Sequence, residues 1–213
     1  QQYKREAAAS IIDKALGFGL VPETVLSEGH KGLGSVQEFF GGGNTFSDLQ
    51  EMSGGDPRFS YKGLVESAGK RTRERLAVFD LITGNKDRHS ANIMARPKEG
   101  GGLEIALIDN GLSFGEPGGY TLNGAKEPKP RKDGRGQYYP KIRTFAHDLI
   151  GENENLSRET VAALDNLAEN KEKITAELTQ GEQGELLTKK EIDAFWERVD
   201  KVRFGSKGFG RIW

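Results

Sequence analysis

Apolar side chains recur at Ala8, Ile11, Ile12, Ala15 and Leu16, the spacing of a helix that buries one face, and Gly17 is placed to cap its C-terminus. Two short β-prone runs follow, Leu20 to Leu26 and Ser35 to Phe40. The turn-rich stretch Glu28 to Gly32 between them predicts a hairpin. Gly41-Gly42-Gly43-Asn44 ends that pattern, and Phe46 to Gly69 is too mixed to assign. Lys70 to Thr83, with Leu76, Ala77, Phe79, Leu81 and Ile82, reads as a largely buried helix that runs into a polar loop. Leu103 to Ile108 reads as a buried strand ending on Asp109, and Gly115 to Pro140, rich in glycine, proline and lysine, as an exposed loop. Val161, Leu164 and Leu167 mark a further helix that continues to Ile174 and Leu178. Ile192, Phe195, Trp196 and Val199 mark the last one, which opens on a Thr188/Glu191 capping box flanked by Leu187 and Ile192 as a hydrophobic staple.

Composition narrows the classes. The 213 residues are 35% hydrophobic and 30% charged with a formal net charge of −1, which describes one compact globular unit and gives no reason to expect bulk nucleic-acid binding. With no cysteine, disulfides and thiolate metal sites are excluded, and a cytoplasmic setting is expected. No run approaches the roughly 18 apolar residues of a membrane span, and the N-terminal Gln-Gln-Tyr-Lys-Arg-Glu lacks the apolar core of a signal peptide. A start at Gln1 is read as a chain from which upstream residues are absent.

The candidate chemistry lies in two segments. Gly84-Asn85-Lys86-Asp87-Arg88-His89-Ser90-Ala91-Asn92-Ile93-Met94 sets an asparagine five residues after an aspartate, the spacing of a kinase catalytic loop. Phosphoryl transfer needs one group to orient the attacking hydroxyl and hard oxygen donors to hold Mg²⁺ against phosphates, and an aspartate and an asparagine on one loop supply both. The second segment, Leu107-Ile108-Asp109-Asn110-Gly111, delivers a carboxylate from an apolar strand onto a glycine turn, the context of the kinase Asp-Phe-Gly ligand with asparagine in place of phenylalanine. Either segment alone reads equally well as turn chemistry; their order, with a strand between, is the specific signal.

Asp-Arg-His followed three residues later by asparagine, then an Ile-Asp-x-Gly strand end, resembles the phosphatidylinositol 3/4-kinase-like superfamily, where classical protein kinases have His-Arg-Asp. Upstream, Arg5 to Ala8, Leu20 to Val25 and Gly34 to Phe40 are similar to the type II and gamma-type phosphatidylinositol 4-kinases and their bacterial relatives, so the likeness spans about residues 4 to 114. The resemblance implies an α/β (α+β) kinase-like fold with a truncated N-terminal lobe over residues 1–45 and a helical catalytic lobe over 46–213. It implies a Mg²⁺-dependent kinase using ATP, with a phosphoinositide lipid or a protein serine or threonine as acceptor. Asp87 would orient or deprotonate the acceptor hydroxyl, His89 would assist at the transferring phosphate, and Asn92 and Asp109 would ligate magnesium. Gln37, Glu38, Phe39 and Phe40 would line the adenine site as a hinge. Glu6 would pair with a phosphate-binding lysine that the family carries on a strand before this helix, beneath a phosphate-covering loop, upstream of Gln1; Gly41-Gly42-Gly43 does not replace that loop. A second reading is therefore a degenerate, non-catalytic kinase-like scaffold, and a third a protein-modifying kinase of the HipA-like type.

Each residue also has a plainer role. His89 would brace its loop, Arg88 would steady a neighbouring carboxylate, and Phe195 and Trp196 would be core. His147 and Asp148 lack a third partner and are left out of the site. Lys126, Lys129, Arg131, Lys132 and Arg135 stand where the resemblance puts a head-group-recognising loop and offer a peripheral contact with anionic membrane; diluted by Glu127 and Asp133, they read equally as a solvated loop.

Overall fold

A computed structural model describes residues 2–115 and 155–205, and the backbone of 129–130 and 137–138. The basic stretch 126–135 and the His147/Asp148 pair fall outside the described residues, apart from the backbone of 129–130. Helix α1 (Gln2–Leu16) forms as expected and stops at Gly17, whose φ of 63° suits a residue without Cβ. Ala7, Ala8, Ala9 and Ile12 are fully buried, so small side chains let this helix lie close to its neighbours. The chain then turns back through an Asp13 cap: the Leu20 N–H donates to Asp13 Oδ2 at 3.0 Å. Strands β1 (Thr24–Gly29) and β2 (Gly32–Gln37) pair antiparallel, Val25 opposite Val36. The hairpin is shorter than its β-prone runs, because Pro22 precedes the ladder and Phe39 and Phe40 lie beyond it.

Asn44–Thr45 (β3), Ile93–Pro97 (β4) and Leu103–Leu107 (β5) form a second antiparallel sheet in the order β3-β4-β5. The stretch that composition left unassigned holds helix α2 (Phe46–Met52), a 3-10 turn (Pro57–Phe59) and helix α3 (Tyr61–Ser67). Thr45 and Asp48 start α2 with a reciprocal capping box. Helix α4 (Lys70–Thr83) matches its predicted limits and ends on Gly84, whose φ of 65° closes the last turn. Two-residue strands β6 (Lys129–Pro130) and β7 (Gln137–Tyr138) pair with each other.

The C-terminal part differs from expectation in one respect. The run from Val161 to Leu178 is two helices, α5 (Arg158–Glu169) and α6 (Lys171–Gln180), because Asn170 leaves helical geometry at φ −95°, ψ 18°. Helix α7 (Lys189–Gly205) begins at the predicted capping box, with the Thr188 N–H donating to Glu191 Oε2 at 2.8 Å. Helix α7 packs on α4, and Arg198 reaches the carbonyls of α4's last turn, its Nε donating to Ile82 O at 2.9 Å. Phe195 is fully buried with its ring 5.8 Å from that of Phe114, just past the Asp109 turn. The first residues of α5 are tied to α4 as well: the Ser157 N–H and hydroxyl both donate to the buried carboxylate of Glu74.

Two outcomes follow. Phe195→Ala should lower unfolding free energy by about 3–5 kcal/mol in urea titration, since a large aromatic leaves a cavity. Burial raises the Asp13 carboxyl from 3.8 to about 6, against the opposing backbone N–H groups of residues 19–21 and the charge of Arg75. Between those values the folded protein holds a proton the unfolded chain has lost, so stability falls as pH rises through the window. Relative to Asp13→Asn, the wild type should lose about 2 kcal/mol between pH 4 and pH 7, read from urea midpoints at the two pH values.

Candidate active site

The loop between α4 and β4 is organised by one side chain. Arg88 is fully buried, and all five of its N–H donors are used. Nε and Nη2 form a fork on Asp80 at 3.0 to 3.2 Å, Nη1 donates to the carbonyls of Asn92 and Ile108 at 2.9 Å each, and Nη2 also donates to Asn110 Oδ1 at 2.6 Å. A buried guanidinium is tolerated only if its charge and every donor are met, and here the acceptors come from α4, the loop and the strand end after β5. The Ile108 N–H donates to Asn92 O at 3.1 Å, so Asn92 and the residue before Asp109 are fastened to each other as well as to Arg88.

The remaining loop groups fix one another. The Asp87 N–H donates to Asn85 Oδ1 at 2.8 Å, and Asn85 in turn donates to Ser113 Oγ at 3.1 Å. Asn92, a buried side chain, donates from Nδ2 to Asp87 O at 2.9 Å. The Ala91 N–H donates to His89 Nδ1 at 3.2 Å, and Nε2 lies 3.6 Å from Asp87 Oδ2 and 3.3 Å from Asn92 Nδ2. About a third of the Asp87 and His89 side chains is open to solvent. Burial, together with the charges of Arg5 and Arg198, lowers the Lys86 pKa.

Asp109 is exposed on a left-handed backbone with φ 52°, uncommon for a residue with Cβ. Glu6 of α1 lies over the following turn, within reach of the Asn110 and Gly111 N–H groups. Burial raises its pKa above the usual carboxylate range, those N–H groups oppose the rise, and the Asp109 charge adds to it. Within the described residues the Glu6 carboxylate therefore engages this turn.

The structure thus brings Asp87, His89, Asn92 and Asp109 to one rim, with Glu6 bracing it from α1. The expected hinge residues lie elsewhere on the surface. Gln37 Nε2 donates to Thr24 Oγ1 at 2.9 Å, and the Glu38 N–H donates to Glu23 O at 2.7 Å. Phe39 is 85% exposed, and Phe40 lies under the Arg96 guanidinium at 4.3 Å. Glu38, Phe39 and Phe40 line a cavity of about 310 Å³ with Pro22, Ile105 and Ala106, and none of the four rim residues borders it. Sequence reasoning missed Asp80 and Asn110 as partners of Arg88. Asp80 did leave a signal, as a lone carboxylate within the apolar run Leu76 to Ile82, where a buried charge must find a counterion.

Phosphatidylinositol 3- and 4-kinase is the family whose model matches residues 70–185, which contain both candidate segments. The chain is also similar to a crystal structure of a Helicobacter pylori proinflammatory kinase, CtkA, at a TM-score of 0.51 and 15% identity, over 99% of this chain and 79% of that one. That likeness is one of fold: α+β and kinase-like. No curated protein matches.

Asp80→Ala should cost about 3–5 kcal/mol in urea denaturation, because it leaves the Arg88 charge buried and unpaired. Asp165→Ala, which removes the partly exposed Arg203 pair at 2.8 Å, should cost less than about 1 kcal/mol.

Proposed function

This chain belongs to the phosphatidylinositol 3- and 4-kinase family, and from that premise we propose that it carries the catalytic and metal-binding part of a Mg²⁺- and ATP-dependent phosphotransferase acting on a hydroxyl. The observation that carries the reading is the joint fastening of the Asn92 and Ile108 carbonyls to Arg88, which sets the Asn92 side chain beside the Asp109 turn and both beside Asp87.

The residues fit the group. Asn92 Oδ1 and the exposed Asp109 carboxylate are hard oxygen donors, and neither has a protein hydrogen-bond partner among the described residues. Bound there with ATP, magnesium would offset charge on the phosphate oxygens. Asp87, part-exposed and fixed through its backbone by Asn85 and Asn92, orients an acceptor hydroxyl and takes its proton. His89, its Nε2 3.6 Å from Asp87 Oδ2, assists at the transferring phosphate. Glu6 serves this assembly by holding the Asn110–Gly111 turn. Glu38, Phe39 and Phe40, with Gln37 at the end of β2, form the hinge of the same reading, with the lobe division after residue 45. The family name favours a phosphoinositide head group as acceptor, with a protein serine or threonine the other candidate.

A specific observation favours the alternative of a non-catalytic scaffold: the Glu6 carboxylate is already engaged by the Asn110 and Gly111 N–H groups of the turn.

Transfer of labelled γ-phosphate from ATP, assayed with phosphatidylinositol vesicles and with a serine/threonine protein substrate, decides between them. Incorporation that falls about 10²- to 10⁴-fold in Asp87→Asn supports the enzyme. Absence of transfer to either acceptor and to water supports the scaffold.

A further inference from the structure

Asp109, the proposed metal ligand, has a left-handed backbone conformation, φ 52°, that persists only where its surroundings enforce it. Those surroundings are unusually complete. On the side before Asp109, the Ile108 carbonyl accepts from Arg88 Nη1 at 2.9 Å and the Ile108 N–H donates to Asn92 O at 3.1 Å. On the side after it, the Asn110 side chain is fully buried, accepts from Arg88 Nη2 at 2.6 Å and donates from Nδ2 to Leu107 O at 3.3 Å. The Ser113 N–H donates to Asn110 O at 2.9 Å and the Phe114 N–H to Thr83 O at 2.6 Å, closing the turn back onto α4. Arg88 therefore grips the residues on both sides of Asp109, while the Asp109 side chain itself is left exposed.

Resting on the kinase reading above, we propose that Asn110 and Arg88 are positioning residues: together they clamp Asp109 in its metal-binding orientation before any metal or nucleotide arrives. The side chain after the ligand decides this. An apolar side chain there could pack in more than one place, because packing is not directional. An amide that must satisfy both the Arg88 donor and the Leu107 carbonyl has one arrangement. Moving Asn110 out would leave an Arg88 donor unpaired in a site with no access to water, so the clamp resists any rotation of the Asp109 turn. Asp80 serves the clamp by neutralising Arg88, with both side chains fully buried.

Binding of Mn²⁺ with a non-hydrolysable ATP analogue, followed by electron paramagnetic resonance on the full chain, tests the claim. Failure of the wild type to bind overturns the kinase reading itself and is seen before any variant is compared. If the wild type binds, Asn110→Leu, which keeps the branched heavy-atom skeleton and removes both polar contacts, should weaken metal affinity by about 10–100-fold, the effect of removing partners that orient ligands. Asn110→Asp keeps the acceptor for Arg88 and loses the donor to Leu107 O, so it should restore part of that loss. Circular dichroism confirms that each variant is folded at the assay temperature, so a residue that served stability alone would shift the melting point and leave the metal constant unchanged. That result overturns the proposal. A wild-type measurement decides the matter if Asn110→Leu does not fold: hydrogen exchange of the Ser113 amide and the Arg88 Nε proton in the metal-free protein. Strong protection without metal or nucleotide supports a pre-assembled clamp. Exchange near open-chain rates until Mn²⁺ and nucleotide are added overturns it.

Discussion

The buried charge of Arg88 is the constraint around which the rest of the site is arranged. A guanidinium with no exposed surface is stable only when a carboxylate balances it and acceptors meet every N–H, and the chain supplies these from α4 through Asp80, from the loop through Asn92, and from the strand end through Ile108 and Asn110. Three successive segments, the end of α4, the loop and the strand end after β5, are thereby fixed relative to one another. The residues with candidate chemistry, Asp87, His89, Asn92 and Asp109, are the neighbours of these fastened groups, so they inherit a defined position, with Asp87, His89 and Asp109 open to solvent and Asn92 buried beside them.

The surrounding framework reinforces the same point from two further directions. Helix α7 docks on α4 and places Arg198 over the carbonyls at the start of the loop, where burial lowers the Arg198 pKa to about 10. Helix α1 places Glu6 over the Asn110–Gly111 turn. Catalysis of phosphoryl transfer depends mainly on positioning and on electrostatics that need no rearrangement when reactants arrive. A site whose backbone is held from below by Arg88 and from above by Glu6 meets that requirement. The barrier it would lower is that of bringing metal, phosphate and hydroxyl into line.

Local chemistry made much of this legible in the sequence. The α1 stripe from Ala8 to Leu16, the hairpin turn, the limits of α4, the strand into Asp109 and the Thr188/Glu191 cap are all signals contained within a few residues, and each appears where the pattern puts it. What the pattern did not give depends on distant partners. Strand β4 was hidden because Ile93 to Met94 continued the polar loop, and its pairing is set by β5. The break at Asn170 interrupts an apolar spacing that fits one helix or two equally well. The Asp-Arg-His and Asp-Asn-Gly segments identified the rim, while the link between them runs through Asp80 and Asn110, whose roles exist only once α4, the loop and the strand end meet. For the hinge, Gln37 to Phe40 follow from resemblance alone, and the structure sets Glu38, Phe39 and Phe40 around a cavity that the rim residues do not border.

The measurement that bears most directly on the central claim is calorimetric titration of Mg·ATP into the intact chain and into Asp109→Ala. Saturable, magnesium-dependent binding that is lost in the variant, with the fold unchanged by circular dichroism, is the predicted result. Binding of equal affinity in both proteins would contradict the account, because nucleotide would then be held without the carboxylate that the whole Arg88 assembly serves to position.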